Sequence, residues 1–230
     1  MSYKTVIFDL DHTLWDYETN SREALEDLYH RYDLPHKSKS DFSDFYTTFV
    51  EINTRLWDRY DRGEISRDVI RFERFHQVFQ RVGIDQYELS LTFSHDYVTE
   101  SPFKSRLMPQ ALETLNYLKR RYRLYIITNG FEEIQSTKMK ASGIEHFFDA
   151  VITSEKAGYK KPSPEIFRLA LNHSEAQPFE AIMIGDNLLT DIAGGRNADI
   201  DTVYFNPNQL PHQERVTHEI KNLYELTSIL

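Results

Sequence analysis

The sequence has no cysteine among its 230 residues, and its acidic side chains outnumber its basic ones. The missing cysteine excludes disulfides, a cysteine nucleophile and a thiolate metal site, and it fits a reducing compartment, so we expect a cytoplasmic location. The longest apolar runs are about five residues, far below the roughly 20 that a membrane span needs. The N-terminus leads directly into a strand-like run, so no signal peptide is expected. A net charge of −9 argues against a nucleic-acid duplex as partner.

Five short, β-branched apolar runs predict the strands of a parallel sheet. Because they do not alternate polar and apolar residues, they are typical of strands buried on both faces. Helical segments separate the last four runs, one opening at Pro109 and another at Pro164 with Ser163 as its N-cap. This alternation predicts a doubly wound α/β fold. The runs are Thr5–Phe8, Leu124–Ile127, Ala150–Ile152, Ala181–Ile184 and Thr202–Phe205.

Residues 16–102 have a different pattern, in which the apolar residues recur at helical spacing. Turns between helices are expected at Pro35, Gly63 and Gly83. We therefore predict an all-helical domain inserted after the first strand of a core formed by residues 1–15 and 103–230. For residues 207–230 the sequence predicts only a loop and a short helix. The helical stripes are Phe42, Phe45, Tyr46, Phe49, Leu56, Trp57 and Tyr60, and then Val69, Phe72, Phe79 and Val82.

Polar and charged side chains follow the predicted strands at their carboxyl ends, where ligands bind in open α/β sheets. Several carboxylates and one ammonium would meet in a single crevice, and like charges that close repel one another unless a cation joins them. Mg²⁺ is the natural cation, whereas the absence of His and Cys from the set argues against zinc. The residues, in strand order, are Asp9 and Asp11, then Thr128 and Asn129, then Lys160 and Lys161, then Asp186 and Asp191.

These groups suit phosphoryl transfer, which needs an in-line nucleophile and positive charge around the phosphoryl oxygens. Asp9 can attack phosphorus and form an aspartyl-phosphate. Asp11 can protonate the leaving oxygen and then take a proton from water. Thr128 and the backbone N–H groups beside it, at Asn129, can bind phosphoryl oxygens. One lysine neutralises negative charge, and Asp186 completes the metal shell.

The ordered motifs resemble the haloacid dehalogenase superfamily over residues 5–205. The resemblance implies a Rossmann-like core with Asp9 as nucleophile and Asp11 as acid and base. It also implies Mg²⁺ held by the Asp9 carboxylate, the Asp11 main-chain carbonyl and Asp186. The motifs are Phe8-Asp9-Leu10-Asp11-His12-Thr13, Ile127-Thr128-Asn129, Lys161-Pro162-Ser163-Pro164-Glu165-Ile166-Phe167 and Gly185-Asp186-Asn187-Leu188-Leu189-Thr190-Asp191.

The resemblance also assigns the remaining groups. The motif lysine is Lys161 rather than Lys160. Asp191 is not a direct ligand of the metal, and it either contacts the ion through water or holds Lys161 in place. Dehalogenases of the superfamily lack the second aspartate, so the presence of Asp11 implies hydrolysis of phosphate esters. The helical insertion resembles the superfamily's cap, which closes over the substrate.

Further stretches resemble the bacterial house-cleaning pyrimidine 5′-nucleotidases, which implies a pyrimidine nucleoside 5′-monophosphate as the small phosphorylated substrate. Trp15, Trp57 or Tyr60 can stack on a base, although aromatic residues at helical spacing are more often core. Asn53 or Arg71 can read a base edge or a ribose, although each more often binds backbone or a neighbouring acid. The stretches are Asp11–Asp16, Asn53–Tyr60, Gly63-Glu64-Ile65, Arg71-Phe72 and Thr128-Asn129-Gly130-Phe131.

Three alternatives remain open at this point. Two are enzymes of the same superfamily, namely a sugar-phosphate or phosphoglycolate-type phosphatase and a phosphomutase. The third is a non-enzymatic phospho-acceptor module, like the receiver domains of signalling pairs, which also use aspartate, threonine, lysine and Mg²⁺. A large cap and the acid at Asp11 argue against the receiver.

Overall fold

The structure is a computed structural model that describes residues 3–230, and the chain divides into two compact units. One unit contains the chain up to Tyr17 together with Ser105–Leu230, and the other contains Glu18–Lys104. The described strands belong to the first unit, and the second is helical. The corresponding predicted ranges are 1–15 with 103–230, and 16–102. The assignment of the helical unit as a cap stays a prediction.

Six strands in the described part of the chain form one parallel sheet, which confirms the predicted Rossmann-like α/β class. They are β1 Thr5–Phe8, β2 Arg123–Thr128, β3 Ala150–Thr153, β4 Ala181–Gly185, β5 Asp201–Phe205 and β6 His218–Ile220. Their order is β3-β2-β1-β4-β5-β6, the order of Rossmann-type sheets. The prediction for residues 207–230 is wrong in one respect, because β6 pairs with β5 inside that stretch.

Helices connect the strands and form the second unit. In chain order they are α1 Tyr17–Arg31, α2 Leu34–Lys37, α3 Phe42–Asp61, α4 Arg67–Arg81, α5 Tyr87–Glu100, α6 Ala111–Leu118, α7 Glu132–Ala141, α8 Ser154–Ala157, α9 Pro164–Ser174, α10 Ala193–Asn197 and α11 Leu226–Ile229. Helix α9 has Ser163 as its N-cap and Pro164 at its first position, as predicted. Helix α6 begins at Ala111, two residues after the predicted opening at Pro109.

Helices cover both faces of the sheet, which explains why the strands are apolar throughout. Val6 and Phe8 of β1 belong to the same core cluster as Leu115 of α6. Ile7, which points to the opposite face, belongs to a second cluster with Phe167 of α9. The sheet is therefore doubly wound, and each face has its own hydrophobic core.

The helical unit packs around an aromatic interior. Phe45, Phe75 and Phe93 are fully buried, and the ring centroids of Phe75 and Phe93 lie 4.9 Å apart. Tyr60 is also buried, with its ring 5.4 Å from that of Trp57. The predicted helical spacing of these aromatic residues therefore reflects core packing.

Two details of the helical prediction are wrong. Phe72 is 52% exposed, because the buried stripe of α4 runs through Ile70, Phe75 and Val78 instead. Pro35 lies within the short helix α2, at a first-turn position that tolerates proline, rather than in a turn. Within residues 3–230, no helix has both the length and the apolar character needed to cross a membrane.

Candidate active site

The carboxyl ends of β1 and β4 bring Asp9 and Asp186 together. The two strands are neighbours, and Phe8 of β1 is paired with Ile184 of β4. The Asp9 amide donates a hydrogen bond to the Ile184 carbonyl at 2.9 Å, which continues the pairing beyond the strand. The strand order reverses direction between β1 and β4, and such a switch point is where open α/β sheets form a binding crevice.

Lys161 lies between two carboxylates at this edge. Its ammonium nitrogen donates to Asp9 Oδ1 at 2.5 Å and to Asp191 Oδ1 at 2.6 Å. The side chains of Asp9, Lys161 and Asp191 are buried, with residue exposures of 7%, 2% and 0%. The lysine at this edge is therefore Lys161 and not its neighbour Lys160, and Asp191 contacts it directly.

The loops that carry these groups are held by side chains. Asn129 accepts a hydrogen bond from the Lys161 amide at 2.8 Å and donates one to the Lys161 carbonyl at 3.1 Å. Asp191 Oδ2 accepts from the Asn187 amide at 3.1 Å, and a Cβ atom on Gly185 would lie 2.2 Å from that same oxygen. Only glycine at residue 185 therefore leaves room for Asp191.

Three carboxylates come close enough together to share a cation. One oxygen from each of Asp9, Asp186 and Asp191 lies within 4.8 Å of the others. Lys161 supplies one positive charge to the three acids, which leaves two negative charges to be balanced. Thr13 donates to Asp186 Oδ1 at 3.0 Å and fixes the direction of that carboxylate. Oxygen donors with a surplus of two negative charges fit a hard divalent cation.

The electrostatics of the cluster show the same surplus. Burial raises the pKa of Asp9 well above its ordinary value, and the charges of Asp191 and Asp186 add to the rise that Lys161 opposes. Burial, together with the charge of Asp191, raises the pKa of Asp186 to about 6. Lys161 has its own pKa lowered by burial but raised more strongly by Asp191 and Asp9, so it remains charged. A divalent cation would favour the ionised carboxylates.

Asp11 has a separate environment that the sequence did not predict. Its Oδ1 accepts from the Lys138 ammonium at 2.6 Å, and its Oδ2 accepts from the Gln135 amide at 2.9 Å. Burial acts to raise the pKa of Asp11, but Lys138 and Gln135 outweigh it and the pKa is lowered. Both partners lie on α7, where an acidic and basic sequence gives no sign that Gln135 and Lys138 are buried.

Thr128 and Asn129 end β2 beside this group. Thr128 Oγ1 accepts from the Gly130 amide at 3.0 Å and from Gln135 at 2.8 Å. The Asn129 side chain binds the main chain of Lys161. The predicted contact of Asn129 with phosphate therefore concerns its main-chain N–H. Trp15 is 1% exposed and packs against Lys138, so the prediction that its ring can stack on a base is wrong.

Known proteins are similar to this chain over nearly its whole length. A model of the haloacid dehalogenase-like hydrolases matches residues 3–199. Pyrimidine 5′-nucleotidase PynA of Streptococcus pneumoniae is 30% identical, covering 100% of this chain and 96% of its own. Glyceraldehyde 3-phosphate phosphatase of Methanothermobacter thermautotrophicus is 30% identical, and the match covers 98% of this chain and 95% of that protein.

A solved structure agrees closely with the fold. The crystal structure of YfnB from Bacillus subtilis, bound to magnesium and showing interdomain movement, has a TM-score of 0.89 and 28% identity. It covers 100% of this chain and 99% of its own. The predictions of superfamily and of enzyme class are thereby confirmed, and the chain belongs to the haloacid dehalogenase-like hydrolases as a phosphoric monoester hydrolase.

Proposed function

We propose that the chain hydrolyses nucleoside 5′-monophosphates, preferring pyrimidines, through a covalent phosphate on Asp9 and with the help of Mg²⁺. The observation that carries this proposal is the cluster of Asp9, Asp191 and the partly buried Asp186, in which the Lys161 ammonium contacts Asp9 and Asp191. Its place at the carboxyl ends of β1 and β4 leaves the Asp9 carboxylate at the crevice where a phosphate ester would enter.

The donor set fits the metal. The Asp9 and Asp186 carboxylates, with the Asp11 main-chain carbonyl, would hold Mg²⁺, while Asp191 stays bound to Lys161. When bound, the ion supplies positive charge to the phosphoryl oxygens. The magnesium-bound structure of YfnB supports this choice of cation.

In the first chemical step, an Asp9 carboxylate oxygen forms a bond to phosphorus and the bond from phosphorus to the ester oxygen breaks. Asp11 gives its proton to that leaving oxygen, so the alcohol departs neutral. The Lys161 ammonium, 2.5 Å from Asp9, balances the charge that gathers on the phosphoryl group. Thr128 and the main-chain N–H of Asn129 orient the phosphoryl oxygens.

In the second step, Asp11 takes a proton from water as the water oxygen bonds to phosphorus and the bond to Asp9 breaks. Inorganic phosphate leaves, and the proton now on Asp11 is the one it donates in the next turnover. The lowered pKa of Asp11 favours this second step, in which the carboxylate accepts a proton, and opposes the first, in which the protonated acid is the donor.

The choice of substrate rests on relatives. PynA, named as a pyrimidine 5′-nucleotidase, matches this chain over its whole length and favours a nucleotide. The glyceraldehyde 3-phosphate phosphatase is as similar, so a sugar-phosphate phosphatase is the second candidate. The cytoplasmic location stays a prediction.

A phosphate-release panel tests the proposal. Purified protein with Mg²⁺ is given UMP, dUMP, dTMP, purine nucleotides, sugar phosphates and p-nitrophenyl phosphate. We expect free phosphate to be released fastest from pyrimidine nucleotides. Asp9→Asn should abolish release, while Asp199→Asn, an exposed aspartate at φ 58 that asparagine accommodates, should not.

The panel also separates the alternatives. Faster release from sugar phosphates would contradict the nucleotide preference and favour the second candidate. An isomeric phosphate product would indicate a phosphomutase, and a phosphate retained on Asp9 without turnover would indicate an acceptor module. Turnover that survives Asp9→Asn would remove Asp9 as the nucleophile.

A further inference from the structure

Two side chains of α7 bind the same carboxylate from one face of the helix. Lys138 and Gln135 are three residues apart, which places them one turn apart on the same side. Lys138 donates to Asp11 Oδ1 at 2.6 Å and Gln135 donates to Asp11 Oδ2 at 2.9 Å. Both oxygens of Asp11 are thus held by α7.

The burial of Lys138 needs an explanation. A lysine ammonium is costly to bury unless it is paired, yet this residue is only 5% exposed. Asp11 provides the paired charge, and the ammonium also lies 4.3 Å from the ring centroid of Trp15. The lysine is therefore fixed on two sides, so its ammonium has a defined position beside Asp11.

Gln135 connects Asp11 to the residue at the end of β2. Its amide nitrogen donates one hydrogen to Asp11 and the other to Thr128 Oγ1 at 2.8 Å. The residue is fully buried, and among the described residues its own Oε1 has no hydrogen-bond partner. A buried carbonyl without a hydrogen bond costs stability. Gln135 therefore makes its hydrogen bonds to Asp11 and Thr128 at the expense of its own carbonyl oxygen.

The main chain makes room for Gln135. A Cβ atom on Gly130 would lie 2.1 Å from the Gln135 amide nitrogen, a separation that two such atoms cannot adopt. The glycine after Thr128-Asn129 therefore lets the Gln135 side chain pass over the loop and reach Asp11. Gly130 has no positive φ in the structure, so space rather than backbone conformation explains it.

We propose that Gln135 and Lys138 are positioning residues that hold the Asp11 carboxylate beside Thr128 for proton transfer to and from the reacting oxygens. This inference rests on the proposed function. Displacement of a reacting group by about 1 Å can lower a rate about a hundredfold. Proton transfer by Asp11 should therefore be slower when Gln135 or Lys138 no longer holds its carboxylate. The loss of rate should be largest for esters whose leaving oxygen must be protonated by Asp11.

The test compares two esters in Lys138→Met. The variant keeps an unbranched stem against Trp15 but removes the ammonium. p-Nitrophenolate departs without a proton, whereas the ribose oxygen of UMP needs one. We expect kcat/KM, which depends on the step that expels the leaving group, to fall about a hundredfold on UMP and less than about tenfold on p-nitrophenyl phosphate. Lys138→Arg, which restores a cation, should recover part of the loss on UMP.

The matched control is Lys140→Met on the same helix, whose side chain is 63% exposed and lies 3.9 Å from Glu145. It should retain wild-type kinetics on both esters. An equal loss of kcat/KM on the two esters in Lys138→Met, a larger loss on p-nitrophenyl phosphate than on UMP, or no loss would each overturn the proposal. If the wild type released no phosphate from either ester, the proposed function would fail instead.

A double-mutant cycle tests Gln135 independently. Gly130→Ala and Gln135→Ala should each lower kcat/KM on UMP more than on p-nitrophenyl phosphate. If Gly130→Ala acts by displacing the glutamine, adding it to Gln135→Ala should produce no further loss. Additive losses would show that Gly130 acts in another way, and an equal loss on the two esters in Gln135→Ala would contradict the role given to Gln135.

Discussion

Removal of the buried ammonium tests the charge balance of the cluster without relying on catalysis. In Lys161→Met, an unbranched stem of similar size replaces a side chain that is 3% exposed. The Asp9 and Asp191 carboxylates, 2.5 and 2.6 Å from the lost nitrogen, would then have no positive partner there. Breaking a buried ion pair from one side costs about 3–5 kcal/mol. We expect the free energy of unfolding to fall by that amount.

The assay is urea unfolding in the presence of EDTA, followed by circular dichroism, with Lys160→Met as the matched control. The control replaces a partly exposed lysine one residue away and should change stability by less than about 1 kcal/mol. The pH dependence gives a second measurement. In the variant Asp9 loses the charge that opposes the effect of burial, so its pKa rises further above its ordinary value and the variant loses more stability than the wild type as the pH rises.

The deficit of Lys161→Met against wild type should therefore shrink as the pH is lowered from neutrality towards the ordinary pKa of a carboxyl group. A deficit below about 1 kcal/mol would refute the claim that the ammonium offsets buried charge. A large deficit that stays constant with pH would assign the loss to packing rather than to charge.

Two further predictions concern the metal and the acid limb of stability. Mg²⁺ should raise the melting temperature of the wild type, and Asp186→Asn should remove that increment while Asp199→Asn keeps it. An increment that survives in Asp186→Asn would place the ion elsewhere. Asp149 accepts from Lys119 at 2.9 Å and from the Leu124 amide at 3.0 Å, and its pKa is lowered by these partners against the effect of burial. Asp149→Ala should cost about 1–2 kcal/mol at neutral pH, and this difference should shrink progressively as the pH falls below about 4, because a lowered pKa stabilises only the ionised form. A difference in urea unfolding that persists in acid would contradict the assignment.

The sheet could be predicted because its strands are buried on both faces. Runs such as Thr5–Phe8 and Ala181–Ile184 show no alternation of polar and apolar residues, which is typical of strands buried on both faces of a parallel sheet. Strand β6 could not be predicted in this way. His218–Ile220 is three residues long, and only Ile220 is buried. Its strand conformation comes from pairing with β5, which is a tertiary interaction.

The acids and the lysine could be predicted for a topological reason. Asp9 and Asp186 directly follow β1 and β4, and Lys161 follows β3 after the short helix α8. Parallel strands bring such residues to one edge of the sheet. The partners of Asp11 could not. Gln135 and Lys138 lie on the buried stripe of α7 beside Met139, and α7 has charged residues at both ends. Only the packing of the helix reveals which of its polar residues point inward.

The surplus charge of the cluster connects the stability of the fold with its chemistry. Asp9 must be ionised to attack phosphorus, yet burial raises its pKa and so favours the protonated form. Lys161 compensates only one of the acids that surround it. A divalent cation would both stabilise the folded protein and keep Asp9 in its nucleophilic form. The groups that make the site reactive are thus the groups that destabilise it when the ion is absent, so metal affinity, unfolding and turnover should respond together to changes at Asp186.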